Sequence, residues 1–284
     1  MQQRQGRASS AASGEDAAAA IEWLAAAFPE VACSSDASAA KFIPATAFWR
    51  DASASVEACL AYQNRFASGM DDKVRAAHLI AFYSHQLSLV TVTVFLATGL
   101  VPELAGLRFE SYLRPVGERT LEASRFHFLV ELPQIAAGAR PEEAGSRFRD
   151  VFVAQLKPVI TLLSRRCGLS VRAQWRLAAD SLAGAFLEIG RRQGKEAEAI
   201  AHALAIVKHQ GSPLFTRELH YEEIDAAVPC NDGERALSQT YRMRGGCCLY
   251  YRTDAGSYCD SCVLLRPEIR RERLRAHLRE TARE

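Results

Sequence analysis

The chain has 284 residues, 49% of them apolar and 24% charged, with a formal net charge of +2. That composition is globular; it excludes a disordered chain or a disulfide-stapled miniprotein, and it leaves no overall field to draw the whole protein to nucleic acid or an anionic membrane. Eight cysteines are present, and Cys247, Cys248, Cys259 and Cys262 fall within 16 residues of one another.

Residues 1–14 lack the apolar run of a secretory signal and read as a flexible tail. Ser13 with Asp16 forms a capping-box pattern before an Ala-rich helix over 17–28 that Pro29 stops. A loop of mixed composition leads to Pro44, and a helix is expected within 51–66. Over 71–98, Val74, Leu79, Phe82, Leu87, Val90 and Val94 recur at near-helical spacing and predict one long or two broken core helices, ended by Gly99 and Pro102. The apolar stretch 87–101 is shorter than the roughly 20 residues of a membrane-spanning helix and contains three Thr and a Ser, so it is read as buried core.

In 107–113 and 125–132 apolar and aromatic residues tend to alternate with polar ones, predicting two strands joined by a turn at Gly117, a hairpin that has to pack on helices. Helical period returns over 146–166, 170–193 and 195–210, with Gly168, Gly194 and Gly211 at the stops. Pro213, Pro229 and Gly233 mark a looser connection, after which 235–242 reads as helical again. Residues 267–283 read as a charged helix with Pro267 in its first turn and Ile269, Leu274 and Leu278 on one face. The predicted class is α+β and predominantly helical. A tail (1–14) precedes a helical body (15–240) with a small antiparallel β element, followed by a cysteine-rich cluster-binding segment and C-terminal helix (241–284).

Without an export signal the cysteines are expected to stay reduced in the cytoplasm, where clustered Cys signals a metal more often than a disulfide. The pattern is Cys-Cys, ten residues, then Cys-x-x-Cys. Two intervening residues let a turn aim both sulfurs of a Cys-x-x-Cys at one ion. Adjacent cysteines point to opposite faces of an extended backbone and need a kink to converge, for which Gly245, Gly246 and Gly256 offer freedom. A two-iron cluster relaxes that demand, because its four thiolates are shared between two irons. Four-thiolate sites serve zinc and iron–sulfur alike, so the residues alone leave both open. Cys33, Cys59, Cys167 and Cys230 are isolated and expected to pack as small hydrophobes. His78 and His85, like His202 and His209, are seven apart, not the three or four of a helical metal pair, and are expected as core or surface residues.

The segment CCLYYRT…YCDSC resembles the C-terminal part of the FhuF family of ferric siderophore reductases, whose CC-x10-C-x2-C spacing it matches at all four cysteines. A weaker resemblance extends over the helical body, about 51–237, a region also related to the C-terminal part of aerobactin-type siderophore synthetases. Val263 departs from the proline many members place after the last cysteine. The resemblance implies a 2Fe-2S cluster on Cys247, Cys248, Cys259 and Cys262, with no catalytic side chain beyond it. It further implies a cytoplasmic reductase that passes one electron to ferric iron in a hydroxamate-type siderophore.

No nicotinamide, flavin or nucleotide motif occurs, so electrons are expected from a separate one-electron donor protein of ferredoxin or flavoprotein type, with no nucleic-acid partner and no membrane span. Residues 241–284 carry a net +4 while the rest of the chain carries −2. Within them Arg242, Arg244 and Arg252 flank the ligands and are candidates for docking an acidic donor or an anionic iron complex. Tyr250, Tyr251 and Tyr258 are expected to form a small packing core around the cysteines. The alternatives are a non-catalytic zinc or iron–sulfur sensor module and an accessory to siderophore assembly.

Overall fold

A computed structural model describes residues 14–39, 41–132, 141–230 and 233–282. Ser13, residues 1–13 of the expected tail and the side chain of Cys230 lie outside the described residues. Helix α1 (Gly14–Ala27) stops just before Phe28 and Pro29. The following stretch, read from sequence as a loop, holds two short strands, β1 (Ala32–Ser34) and β2 (Ile43–Pro44), and a single helical turn, α2 (Ala45–Phe48).

Two helices begin at side-chain caps. The Ser53 hydroxyl accepts from the Val56 N–H to start α3 (Ala54–Gln63), and the Asp71 carboxylate accepts from Val74 to start α4 (Asp72–Thr98). Helix α4 is unbroken over 27 residues and ends at Gly99 in the left-handed conformation (φ 71°). By length and composition it is long and apolar enough to cross a membrane, but 78% of its most apolar window is buried inside the fold. It is the central core helix and packs against α1 and α6 (Val171–Arg192).

The predicted hairpin is longer than its alternating segments: β3 (Glu103–Val116) and β4 (Arg119–Glu131) pair through to a turn at Gly117 (φ 58°). The sheet order is β1-β4-β3-β2, with β1 parallel to β4 and the other pairs antiparallel. Phe126, Phe128 and Val130 alternate inward along β4 and are buried. The Phe126 ring lies 4.9 Å from Tyr83 of α4 and 6.0 Å from Trp49, so the sheet lies against the central helix through aromatic contacts. Helix α5 (Pro141–Cys167), α6 and α7 (Glu196–Val207) complete the body, and Gly168 and Gly194 are left-handed at the expected stops.

Residues 235–242 are not helical. They belong to β6 (Gly233–Met243), paired antiparallel along its whole length with β5 (His220–Cys230) as a separate two-stranded ribbon. Ala236, Leu237 and Gln239 are good helix formers, but the ladder with β5 overrides that preference. Helix α8 (Pro267–Thr281) crosses the ribbon, and Leu274 joins Ile224 and Met243 in a small core beneath it. Polar contacts hang the ribbon on α6: the Tyr221 hydroxyl donates to the Ala183 carbonyl at 2.7 Å, Arg191 donates to the Thr240 carbonyl at 2.7 Å, and Arg242 donates to the Asp180 carbonyl.

Strand β1 covers β4 only at His127–Leu129, which leaves the Phe126 N–H at an unpaired edge inside the core. The buried Gln86 side chain of α4 accepts from it at 2.7 Å. Gln86→Leu is expected to lower the unfolding free energy by about 1–3 kcal/mol, because the buried N–H loses its acceptor. Urea denaturation checks this, and an unchanged midpoint would remove the role assigned to Gln86.

Candidate metal centre

Strand β6 delivers the chain directly to the site, because Arg244, Gly245 and Gly246 follow Met243 and precede the Cys247–Cys248 pair. The N–H groups of Gly245 and Gly246 donate to the two carboxylate oxygens of Asp180 in α6, at 2.8 and 2.9 Å. Arg244 Nε adds a third contact at 3.4 Å, and the Asp180 side chain is 3% exposed. The two glycines serve this close approach. A Cβ on Gly246 would lie 3.0 Å from the backbone of Arg176 and Leu177, and one on Gly245 would press on Thr216 Oγ1 and the Leu219 nitrogen. Neither has a left-handed backbone, nor does Gly256, so the expectation that glycines supply the kink is corrected: the left-handed turn is at Leu249, φ 61°.

Beyond that turn the chain is tied to α4. The Leu249 N–H donates back to Cys247 Sγ at 3.4 Å, and the Leu249 side chain packs on the main core. Tyr250 to Arg252 form one 3-10 turn, the Tyr250 ring stacks on His78 at 5.8 Å, and Arg252 pairs with Asp71, the cap of α4. The Asp254 N–H donates to the Ser68 carbonyl at 3.2 Å. The Cys-x-x-Cys is a closed turn in which the Cys262 N–H donates to the Cys259 carbonyl at 2.9 Å. Cys262 is buried, and the other three are half-buried.

The sulfurs share their electrostatics. A hydrogen bond from Cys259, helped by the Arg244 charge, holds the Cys248 thiol well below its usual range despite burial, and Cys259 is pushed up as the donor in that bond. Burial raises Cys247, partly offset by the Leu249 N–H. Arg244 Nη1 also reaches Cys259 Sγ at 3.6 Å, so one guanidinium bridges Asp180 and the thiols.

Four thiols, N–H donors on two of the sulfurs and an adjacent cation suit an anionic four-thiolate cluster, whose sulfurs are stabilised by such hydrogen bonds. Among the described residues, no group of three or more His, Cys, Asp or Glu side chains is drawn together as a metal site. All the described cysteines are free. Cys59 and Cys167 are buried away from this segment, and burial raises the Cys33 thiol to about 12, in keeping with packing roles.

A cleft of about 840 Å³ opens between α6 and β6, lined by Arg242, Arg244, Cys259, Asp260, His85 and Glu188 among others. Of the three flanking arginines predicted to dock a partner, Arg242 and Arg244 line this cleft, whereas Arg252 is committed to Asp71. Only Tyr250 packs against the body. Tyr251 and Tyr258 form a ring pair at 5.1 Å and are 38% and 40% exposed, which corrects their expected place in a core. A second cavity of about 420 Å³, lined by Ala45, Trp49 and Leu104, holds none of the cysteines.

Sequence reasoning missed Asp180 and the placement of His78 and His85. The one available signal was that Asp180 is the sole charged residue between 177 and 187, in a mostly apolar stretch of helix. Asp180→Asn keeps one acceptor oxygen but turns an amide toward the second glycine N–H and removes the charge facing Arg244. We expect it to cost about 3 kcal/mol in unfolding free energy and to lower the iron retained per chain on purification. Unchanged stability together with unchanged iron content would rule out this anchoring role.

A family model described as ferric iron reductase FhuF-like transporter matches residues 78–225, just over half of the chain. A second model, the FhuF 2Fe-2S C-terminal domain, matches residues 244–264. Among curated proteins no significant match is found. The two matches run from α4 to β5 and then across the cysteine segment, and the chain therefore belongs to the FhuF-like ferric iron reductase family and carries its 2Fe-2S C-terminal domain.

Proposed function

We propose that the protein is a cytoplasmic reductase of ferric siderophores of the hydroxamate type, with the 2Fe-2S cluster held by Cys247, Cys248, Cys259 and Cys262. The observation that carries this reading is the opening of Cys259 onto a cleft of about 840 Å³, a volume that suits a small iron complex. When bound, a 2Fe-2S cluster supplies electrons one at a time at a potential set by the charges and hydrogen bonds around its sulfurs. The ferric complex is the substrate. Its hard oxygen ligands hold Fe3+ far more tightly than Fe2+, so gain of one electron by the iron loosens the metal from its chelator.

The chain's own residues have three tasks in this scheme. Asp180 and the two glycine N–H groups fix the segment against α6. Arg244 and the Leu249 N–H place positive charge and a donor on the sulfurs, which favours the reduced state. The walls of α6 and β6 hold the complex beside Cys259. With no nucleotide or flavin motif in the chain, a one-electron donor protein of ferredoxin or flavoprotein type completes the cycle.

Anaerobically purified protein is expected to be brown, with absorption above 400 nm and about two irons per chain. After reduction with dithionite, mixing with a ferric trihydroxamate should restore the oxidised spectrum and release Fe2+ to a ferrous chelator. Cys248→Ser should lose most of the iron and the visible bands. Colourless protein with stoichiometric zinc would overturn the reading, and a cluster that ferric hydroxamate does not reoxidise would favour a sensor.

A further inference from the structure

We propose that the cleft between α6 and β6 takes ferric chelates that carry a free carboxylate, and that Arg242 is the residue that receives it. This rests on the reading of the protein as a ferric-chelate reductase and specifies the charge of its substrate. Four arginines line the cleft. Three of them face acids: Arg191 with Glu196 at 2.9 Å, Arg192 with Glu188 at 3.0 Å, and Arg244 with Asp180 at 3.4 Å. Arg242 has no carboxylate within ion-pair distance among the described residues. Its Nη1 donates to the main-chain carbonyl of Asp180, and its Nε is buried without a hydrogen-bond partner.

The acids nearby each face another donor or cation. Both oxygens of Asp180 are taken by Gly245, Gly246 and Arg244, while Glu188 is engaged by Arg192 and Asp260 faces Arg273 at 4.0 Å. A guanidinium with no carboxylate partner and an unused Nε donor, set in the lining of a cavity, suits an acceptor-only anion, which is the chemistry of a carboxylate. Helix α6 makes room for this guanidinium at Gly184, where a Cβ would overlap Nη1. Glycine in mid-helix is disfavoured, and here it gives up its side-chain space to Arg242.

The cavity is sized for a small molecule, and Cys259 lines it, so a chelate held by Arg242 through a carboxylate that does not bind iron lies beside a cluster ligand. Anchoring through a part of the substrate that does not react supplies binding and orientation without touching the iron. A fully neutral chelate would leave the Arg242 charge buried and unpaired.

The test uses the full-length, oxidised protein with its cluster, titrated calorimetrically with gallium(III) complexes of one trihydroxamate, desferrioxamine B. Its terminal amine is acylated with either succinate, which adds a free carboxylate, or acetate, which does not. Gallium(III) is not reduced, so binding is read without turnover. The succinyl complex is expected to bind about ten-fold tighter or better than the acetyl complex, and Arg242→Gln should abolish that preference. Gly184→Ala should abolish it too by displacing the guanidinium, and because it leaves the cysteine segment unaltered it decides the matter if Arg242→Gln fails to fold or to load iron. Equal affinities in the unmodified protein, or a preference that survives both substitutions, would overturn the proposal. Reduction of the matching ferric complexes by dithionite-reduced protein is scored separately. Reduction of both without discrimination overturns the carboxylate assignment alone, and reduction of neither overturns the reductase reading itself.

Discussion

Burying a carboxylate in the middle of an apolar helix is costly, by several kcal/mol for an isolated charge, unless donors converge on it. Around Asp180 they do, and every one of them comes from the stretch that leads into the cysteines. The two glycine N–H groups occupy both oxygens and lay the backbone flat on α6, so the Cys247–Cys248 pair leaves the helix surface from a fixed point. Arg244 closes the arrangement, since the guanidinium that faces Asp180 also reaches a ligand sulfur. A single buried charge thus couples the helical body, the ribbon and the cysteine segment, and disturbing any one of the three exposes the others.

Parts of this were legible in the residues. The long apolar run of α4 and the glycine stops of α5 and α6 follow from periodicity and backbone preference, which act over a few neighbouring residues. The four cysteines are legible for the same reason, because their spacing is local. The ribbon was not. Residues 235–242 have helix-forming composition, and only their pairing with β5 and the cover of α8 make them a strand.

Asp180 and Gly184 were hidden for a related reason. In sequence they stand about sixty residues from the groups they meet, and alone they read as an awkward acid and an awkward glycine in α6. Such local inconsistencies are where function interrupts the ordinary rules of helix design. Two positions one helical turn apart on α6 serve one surface, the first binding the backbone that leads into the cysteines and the second admitting an arginine from β6 just before it.

Leu249 shows how far the cysteine geometry belongs to the protein. Glycine would take its left-handed backbone without strain, whereas leucine adopts it at a cost of about 1–2 kcal/mol. Leucine is nonetheless what stands there, and its side chain packs against the main hydrophobic core. The direction in which two neighbouring thiols leave the chain is therefore dictated by an oily contact beneath them. Hydrophobic packing thus reaches into the placing of polar ligands, through one backbone turn.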